Sequence, residues 1–382
     1  MEEYDLILVG AGLANTLIAL RLQEKRPDLT LLLIETDEQI LGNHTWSFHR
    51  RDLTPAQYEW IHPLVDYRWP GYDVRFPLFS RGLSGEYCSI TSEQLAKTVM
   101  ARLGPQIMTG CTVNSVTATQ VRIDDGRIVQ AHAVIDGRGF AVEKTMSIGI
   151  QAFVGQVWQL AEPHGLSQPI LMDATVDQQQ GYRFVYTLPL SATELLIEDT
   201  HYIDRVQLDP EQARTNIRDY AASQGWQLAT LQREEQGNLP ITLAGKFSRF
   251  WATRSVACSG LRAGLYHATT GYSLPHAVAL ADEIAQLSCM TSPCLRTTVQ
   301  RYAQKAWGRQ RFFRILNRML FLAGPATQRR GVMQRFYRLN ADLIARFYAG
   351  QLTLWDKLRI VSGKPPVPVI AALKAILKPL IK

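Results

Sequence analysis

Asp5-Leu-Ile-Leu-Val-Gly10-Ala-Gly12-Leu13-Ala-Asn15 opens a stretch that runs to Glu35 and decides the fold. Residues 6–9 form a short apolar run that suits a buried parallel strand. Gly10 and Gly12 follow at once, and residues 13–22 read as a helix with Leu13, Leu17 and Leu20 on one face. A second apolar strand, Leu31–Ile34, ends at Glu35. This is the order of a dinucleotide-binding βαβ unit. Gly10 permits the tight turn, and Gly12 lets the backbone approach a pyrophosphate seated on the helix N-terminus at Leu13. Glu35 offers a carboxylate to ribose hydroxyls, and an acidic group there favours a ribose without a 2′-phosphate. FAD and NAD both fit. The alternative is an ordinary crossover whose glycines serve only the turn. The third glycine of the fingerprint is replaced by Asn15, whose side chain either pushes the helix off the strand or hydrogen-bonds a phosphate.

The chain has 382 residues, enough for two domains or one elaborate one, and its 46% hydrophobic content is that of a globular protein. Met1-Glu-Glu-Tyr-Asp5 predicts no secretory signal. No apolar run reaches the roughly 18 residues of a spanning helix. Cys88, Cys111, Cys258, Cys289 and Cys294 form no Cys-x-x-Cys pair, which suits a reducing compartment and suggests no metal site. The net charge of +7 hides an asymmetry. From Arg296 onward, 18 lysines and arginines face two acids, a net of +16, whereas the remainder carries 23 basic and 32 acidic residues, a net of −9. The C-terminal quarter therefore has its own partner or surface.

Beyond Glu35, residues 41–49 read as a polar and aromatic loop, residues 52–66 as helical and residues 72–79 as a strand. Ser92 is the expected cap of a helix over 93–103. Residues 112–121 read as a strand, and residues 121–131 as a hairpin turning at Asp124-Asp125-Gly126. Residues 133–136 form a strand that ends in Asp136-Gly137-Arg138-Gly139, a second candidate nucleotide contact. Residues 148–157, 183–188 and 194–202 are strand-like, the last two joined by a hairpin at Pro189, and a helix over 210–225 takes Asp209 as its cap. Residues 256–264 resume a buried strand followed by Gly260 and Gly264. Thr270-Gly271-Tyr272-Ser273 then leads into a helix over 274–287, again able to hold a pyrophosphate. Three helices, 295–321, 332–349 and 369–381, are expected in the basic quarter, with Lys364-Pro-Pro-Val-Pro368 as a breaker.

The chain order is thus nucleotide unit, β-rich insertion, nucleotide unit. The predicted fold is α/β: an FAD-binding Rossmann-like domain of the glutathione-reductase type (1–75, 90–147 and 250–295), an inserted β-rich substrate domain (76–89 and 148–249), and a basic helical region (296–382).

Along nearly its whole length the chain resembles the bacterial lycopene β-cyclases of carotenoid synthesis. Gly10-Ala-Gly12-Leu13-Ala-Asn15 is similar to that family's opening motif, and Asn43-His-Thr-Trp46-Ser-Phe-His49 to its next block. Asp136-Gly137-Arg138-Gly139, Leu196-Ile-Glu198-Asp199-Thr200 and Thr270-Gly271-Tyr272-Ser273 resemble its second flavin segment, its acidic motif and its Thr-Gly-Tyr-Ser block. One departure stands out within the wider flavoprotein group: Gly260-Leu261-Arg262 occupies the place where flavin hydroxylases carry Gly-Asp. Flavin binding then differs in detail, and hydroxylase chemistry is disfavoured.

The resemblance implies a non-redox closure of the ψ-ends of lycopene and related carotenoids into β-ionone rings, with reduced FAD bound and NADPH or NADH as the electron donor. It also implies a cytoplasmic protein peripherally attached to the inner membrane and able to contact other enzymes of carotenoid synthesis; nucleic acid is not expected, since no recognition motif accompanies the basic charge. Glu198 is the expected acid. On a strand it shares a face with Glu194, Leu196 and Thr200, while Asp199 faces the other way and is the alternative acid if the register is reversed. Apolar surroundings raise the pKa of such a carboxyl, as general-acid work requires. Whether Glu198 or a flavin nitrogen delivers the proton stays open. Trp46 and Tyr272 are candidates for cation–π stabilisation. Residues 369–382 form the candidate amphipathic helix for a membrane surface. Two rival functions remain: a flavin-dependent redox enzyme, either a monooxygenase or a polyprenyl reductase, and a non-catalytic lipid-binding protein.

Overall fold

The computed structural model describes residues 3–381 except 142, 180, 204–207 and 364–367. β1 (Glu3–Val9), α1 (Leu13–Lys25) and β2 (Leu31–Ile34) form the opening unit, with β1 and β2 parallel from Leu6↔Leu31 to Val9↔Ile34. Residues 45–49, expected as loop, form β3 (Thr45–His49), because they pair with residues more than 35 positions later in the chain. α2 (Pro55–Ile61) covers only the middle of the expected 52–66 helix, which Pro63 ends. β4 (Tyr67–Phe76) and β5 (Phe79–Thr91) form a hairpin turning at Pro77-Leu78, a turn that the expected 72–79 strand overran. α3 (Ser92–Leu103) is capped by Thr91, whose Oγ1 accepts from Gln94 N at 3.3 Å. The expected cap, Ser92, instead accepts from His44 N at 3.0 Å.

β6 (Ile107–Met108), β7 (Val113–Val116), β8 (Gln120–Ile123) and β9 (Ile128–Asp136) follow, with the expected β8–β9 hairpin. Residues 117–119 bend out of the expected strand, held by mutual hydrogen bonds between Thr117 and Gln120. β10 (Met146–Leu160), β11 (Ile170–Asp173), β12 (Tyr182–Pro189) and β13 (Glu194–Ile203) come next. α4 (Pro210–Ser223) is capped by Asp209, as its sequence predicts. β14 (Leu228–Gly245) has 18 residues and no local signature, since it contains Gly237 and Pro240; its pairing with β10 sustains it. α5 (Phe247–Ala252), β15 (Ala257–Cys258) and α6 (Leu274–Ala285) complete the second nucleotide segment. Among the described residues the basic quarter divides into six α-helices rather than three: α7 (Ser292–Arg309), α8 (Arg311–Leu322), α9 (Arg329–Tyr337), α10 (Ala341–Tyr348), α11 (Leu354–Val361) and α12 (Val369–Leu377). Of the expected breaker Lys364–Pro368, residues 364–367 lie outside the described residues.

The strands form two sheets. The first has seven strands, in the order β6-β2-β1-β9-β8-β7 with β15 on β9. Its parallel members bring Val9, Asp136 and Cys258 into one row at their carboxyl ends. The second has eight strands, in the order β14-β10-β13-β12-β11-β4-β5-β3. β3 and β4 thus join the second sheet although they lie within the 1–75 span expected for the nucleotide domain. Sheet membership follows long-range pairing, which local patterns do not carry. α1, α3, α6 and α7 cover the first sheet through Leu17, Leu95, Val278 and Val299. α4 covers one face of the second through Ile217 and Tyr220 against Leu195 and Ile197. α8 and α10 pack on its other face, where Phe321 and Ile344 join Leu196 and Ile241. This is the expected α/β architecture with an inserted β-rich sheet and a C-terminal helical region.

Candidate active site

A cavity of about 880 Å³ runs from the β1–α1 turn to the second sheet. At the nucleotide end its wall carries Gly10, Gly12, Leu13, Asn15, Glu35, Gly137, Arg138, Gly139 and Gly260. Gly10 sits at φ +86°, and a Cβ there would lie 3.2 Å from Gly137 C and O, so only glycine lets the turn meet the end of β9. A Cβ on Gly12 would meet nothing within 4 Å and would stand in the cavity, at a helix start whose backbone N–H groups have no side-chain cap. That open cradle fits the diphosphate of a dinucleotide.

Asn15 lines the cavity and also ties the turn together. Its Nδ2 donates to the carbonyls of Val9 (2.9 Å) and Gly10 (2.8 Å), and its Oδ1 accepts from Ser259 Oγ at 2.6 Å. These bonds pin α1, the end of β1 and the segment at Ser259 together. Glu35 Oε2 accepts from Ala11 N at 2.7 Å, which closes the glycine turn, and the carboxylate still faces the cavity.

Asp136 and Gly264 are not on the wall. Asp136 holds the Arg138 guanidinium through two hydrogen bonds (2.9 and 3.0 Å), the Arg138 backbone N–H through a third (3.2 Å) and Arg262 through one (3.0 Å). Burial pushes its carboxyl up, but the two arginines more than offset this and leave it below its ordinary value. It thus places Arg138 at the wall from a position behind it. Gly264, at φ +73°, ends the turn after Gly260 and packs on Phe250. Its glycine answers a backbone need away from the cavity. Thr270, Gly271 and Tyr272 do reach the wall.

At the far end stands Glu198, on β13. The alternation along the strand sends Leu195 and Ile197 toward α4 and leaves Glu198 on the cavity face. Burial pushes its carboxyl up to about 8. Thr200 Oγ1 donates to it at 2.5 Å and lowers that value, while the Glu235 and Asp199 charges raise it. Asp199 faces the other way and is fully buried. It accepts from Arg183 Nε (2.6 Å), His201 Nε2 (2.8 Å) and Asn216 Nδ2 (2.7 Å). Committed to those partners on the α4 side, Asp199 does not fill the role of alternative acid.

The sequence pattern did not reveal several members of this wall. Tyr186 and Glu235 line it beside Glu198. Tyr186 OH joins a chain of hydroxyls through Ser47 (2.9 Å) and Tyr87 (3.1 Å), and Tyr87 meets Tyr272 at 3.0 Å. Phe153 and Phe184 give the wall apolar rings beside Trp46, which the sequence had offered as a π face. The only available signal was the β-rich context, which does not say which aromatic faces inward. Among the described residues, no cluster of three or more His, Cys, Asp or Glu is placed to hold a metal ion.

Comparison with known proteins gives the arrangement a lineage. The chain is 62% identical over 374 residues to lycopene beta-cyclase of Pantoea ananas, covering 98% of each chain. In fold it is similar to a geranylgeranyl bacteriochlorophyll reductase-like protein of Thermoplasma acidophilum (TM-score 0.63, 13% identity, 99% of this chain and 100% of that one). It is also similar to pqsL of Pseudomonas aeruginosa, a probable FAD-dependent monooxygenase (TM-score 0.58, 15% identity, 82% and 94%). The family profile described as lycopene cyclase protein matches residues 5–374, and with it the chain belongs to the lycopene cyclase family.

Proposed function

We propose that the protein is a lycopene β-cyclase, an isomerase that closes the ψ-ends of lycopene through γ-carotene to β-carotene, with no net transfer of electrons. The observation that carries this function is Glu198: a carboxyl that burial keeps protonated, facing a cavity continuous with a dinucleotide cradle and lined by aromatic rings. Glu198 transfers its proton to the terminal double bond. The neighbouring double bond attacks the resulting tertiary cation, the ring closes, and a proton leaves. Trp46 and Tyr272 offer π faces to the positive charge. The apolar wall excludes water, which would trap the cation as an alcohol.

Gly10, Gly12, Glu35, Gly137–Gly139 and Gly260 would hold FAD, its diphosphate at the start of α1. When bound and reduced by NADPH or NADH, the flavin would supply an electron-rich anionic ring, whose charge would stabilise a cation more strongly in a dry site than in water. Gly12→Val, which fills the cradle, is expected to lower flavin affinity at least tenfold with little change in melting temperature, as flavin titration by fluorescence would show. Unaltered affinity would remove Gly12 from the cradle.

The deciding experiment is anaerobic incubation with lycopene and reduced FAD in deuterated water. One deuteron per ring, with no other mass change, supports the cyclase. A gain of oxygen in air, or of two hydrogens, supports the redox alternative, and unaltered lycopene supports lipid binding alone.

The same function accounts for the basic quarter. Among the described residues no helix is long and apolar enough to cross a membrane. α12 is seated on α8 by Ala375 and exposes Ile370 and Leu377, the latter 78% exposed. Nearby in the chain, α11 exposes Leu354 and Trp355, the latter 81%. Apolar residues on basic helices suit peripheral attachment to an anionic membrane face. Truncation after Ser362 combined with Trp355→Glu is expected to move the protein from membrane to soluble fractions. Unaltered sedimentation with membranes would overturn the assignment.

A further inference from the structure

Glu235 was not expected in the site from sequence. Three pairings place it there. Across β12, β13, β10 and β14 the register aligns Tyr186 with Glu198, Glu198 with Gly155, and Gly155 with Glu235. Two carboxyls therefore flank a residue without a side chain. A Cβ built on Gly155 would lie 3.3 Å from Glu235 Cγ, 3.5 Å from its Oε1 and 3.6 Å from Glu198 Cβ. The side chain of Glu235 thus leans over the glycine on the face that Glu198 uses, and both carboxyls line the cavity.

Their surroundings differ. Glu198 receives one neutral donor, the Thr200 hydroxyl. Glu235 accepts the Thr45 backbone N–H at 3.0 Å and faces the Arg233 guanidinium at 3.8 Å, both of which favour its anion. Of two carboxyls in one buried site, the proton then rests on Glu198 and the charge on Glu235. Burial pushes Glu235 up only to about 7, against about 8 for Glu198, which agrees with that division.

We propose that Glu235 is the catalytic base that removes the proton from the cyclised cation, paired with Glu198 as the acid across Gly155. This assignment rests on the cyclisation proposed above. In the full cycle the Glu198 proton forms a C–H bond at the terminal alkene carbon, and a C–C bond closes the ring. A ring C–H bond then breaks: its proton joins Glu235 and its electron pair becomes the ring double bond. The substrate's atoms and electrons are unchanged in number. The enzyme is left with Glu198 ionised and Glu235 protonated, and exchange of both carboxyls with solvent between turnovers restores the starting state. An anion held beside the ring also stabilises the cation until the proton leaves. The carbon nearest Glu235 loses the proton, so Glu235 fixes the position of the ring double bond.

The test compares wild type, Glu235→Gln and Glu235→Asp in the anaerobic assay with lycopene and reduced FAD, measuring turnover and the ratio of ring double-bond isomers. Glu235→Gln keeps the size of the side chain and an acceptor for Thr45 N–H but is not a base. It is expected to lower turnover about 100-fold or more and to yield mixed ring isomers or hydrated product, while flavin binding persists. Glu235→Asp, a carboxylate one methylene shorter, is expected to restore part of the turnover and the single ring isomer. Turnover of Glu235→Gln within twofold of wild type, with one ring product, overturns the assignment. So does equal loss in both variants with the ring product unaltered, or loss of flavin from both, since either marks a structural buttress. Failure of the wild type to close rings in the same assay would strike the proposed function itself. Ring closure by the wild type with an indifferent Glu235→Gln strikes only the base.

Discussion

Glu198→Gln is expected to abolish ring closure, with turnover on lycopene falling about 10²- to 10⁴-fold, while the variant still binds flavin. The magnitude is that of a positioned general acid, and Gln keeps the size and polarity of the side chain but has no acidic proton. Glu198 stands at the far end of the cavity from the glycine cradle, so the cradle is untouched. The pH dependence follows from burial, which raises the carboxyl from an ordinary 4.5 to about 8. The working form is protonated, so wild-type turnover should hold at neutral pH and fall as pH rises through about 8. For stability the sign is the same. A folded-state value above the unfolded one favours the fold fully below about 4.5, and that contribution is lost as pH rises through about 8. Glu198→Gln removes this titration, so its melting temperature should gain on that of the wild type between pH 6 and pH 9. Wild-type turnover by the Gln variant would exclude Glu198 as the acid.

The neighbouring residue should behave in the opposite way. Asp199→Ala is expected to cost about 3–5 kcal/mol of stability, the usual result of removing one partner of a buried ion pair. Burial pushes the Asp199 carboxyl up, but hydrogen bonds and charge from His201, Arg183 and Asn216 leave it below its ordinary value. Without it, a buried guanidinium and its neighbours lose their acceptor between β13 and α4. Chemical denaturation would measure the loss, and turnover per folded molecule should fall far less than in Glu198→Gln. Undiminished stability in Asp199→Ala would show that water or another acceptor replaces the carboxylate. Adjacent acids on one strand thus divide between the cavity and the α4 side, because successive side chains leave a strand on opposite faces.

The nucleotide half was legible in the sequence because its information is local. Strand, glycine turn, helix and acidic strand end fall within 35 residues, each with its own periodicity, and Asp136 through Gly139 repeats the cue. Glu198 was legible because alternation along one strand separates it from Asp199. The hydrogen bonds of Asn15 were not legible, since its partners, the carbonyls of Val9 and Gly10 and the hydroxyl of Ser259, come together only when β1 lies beside the second glycine-rich segment. β3, β5, β11 and β14 were missed or misplaced for the same reason: long-range pairing sustains them, and their composition carries too weak a signal.

By itself, then, the sequence determined the opening strand–turn–helix–strand unit, the charge division and the separation of Glu198 from Asp199, all properties of short stretches governed by local backbone geometry and side-chain alternation. Only the tertiary structure decided that Gly155 separates Glu198 from Glu235, that Tyr186 stands beside them, and that Asp136 and Gly264 turn away from the cavity. Those facts depend on the register between strands tens of residues apart, and register is set by how whole sheets pair and pack, not by the residues it brings together.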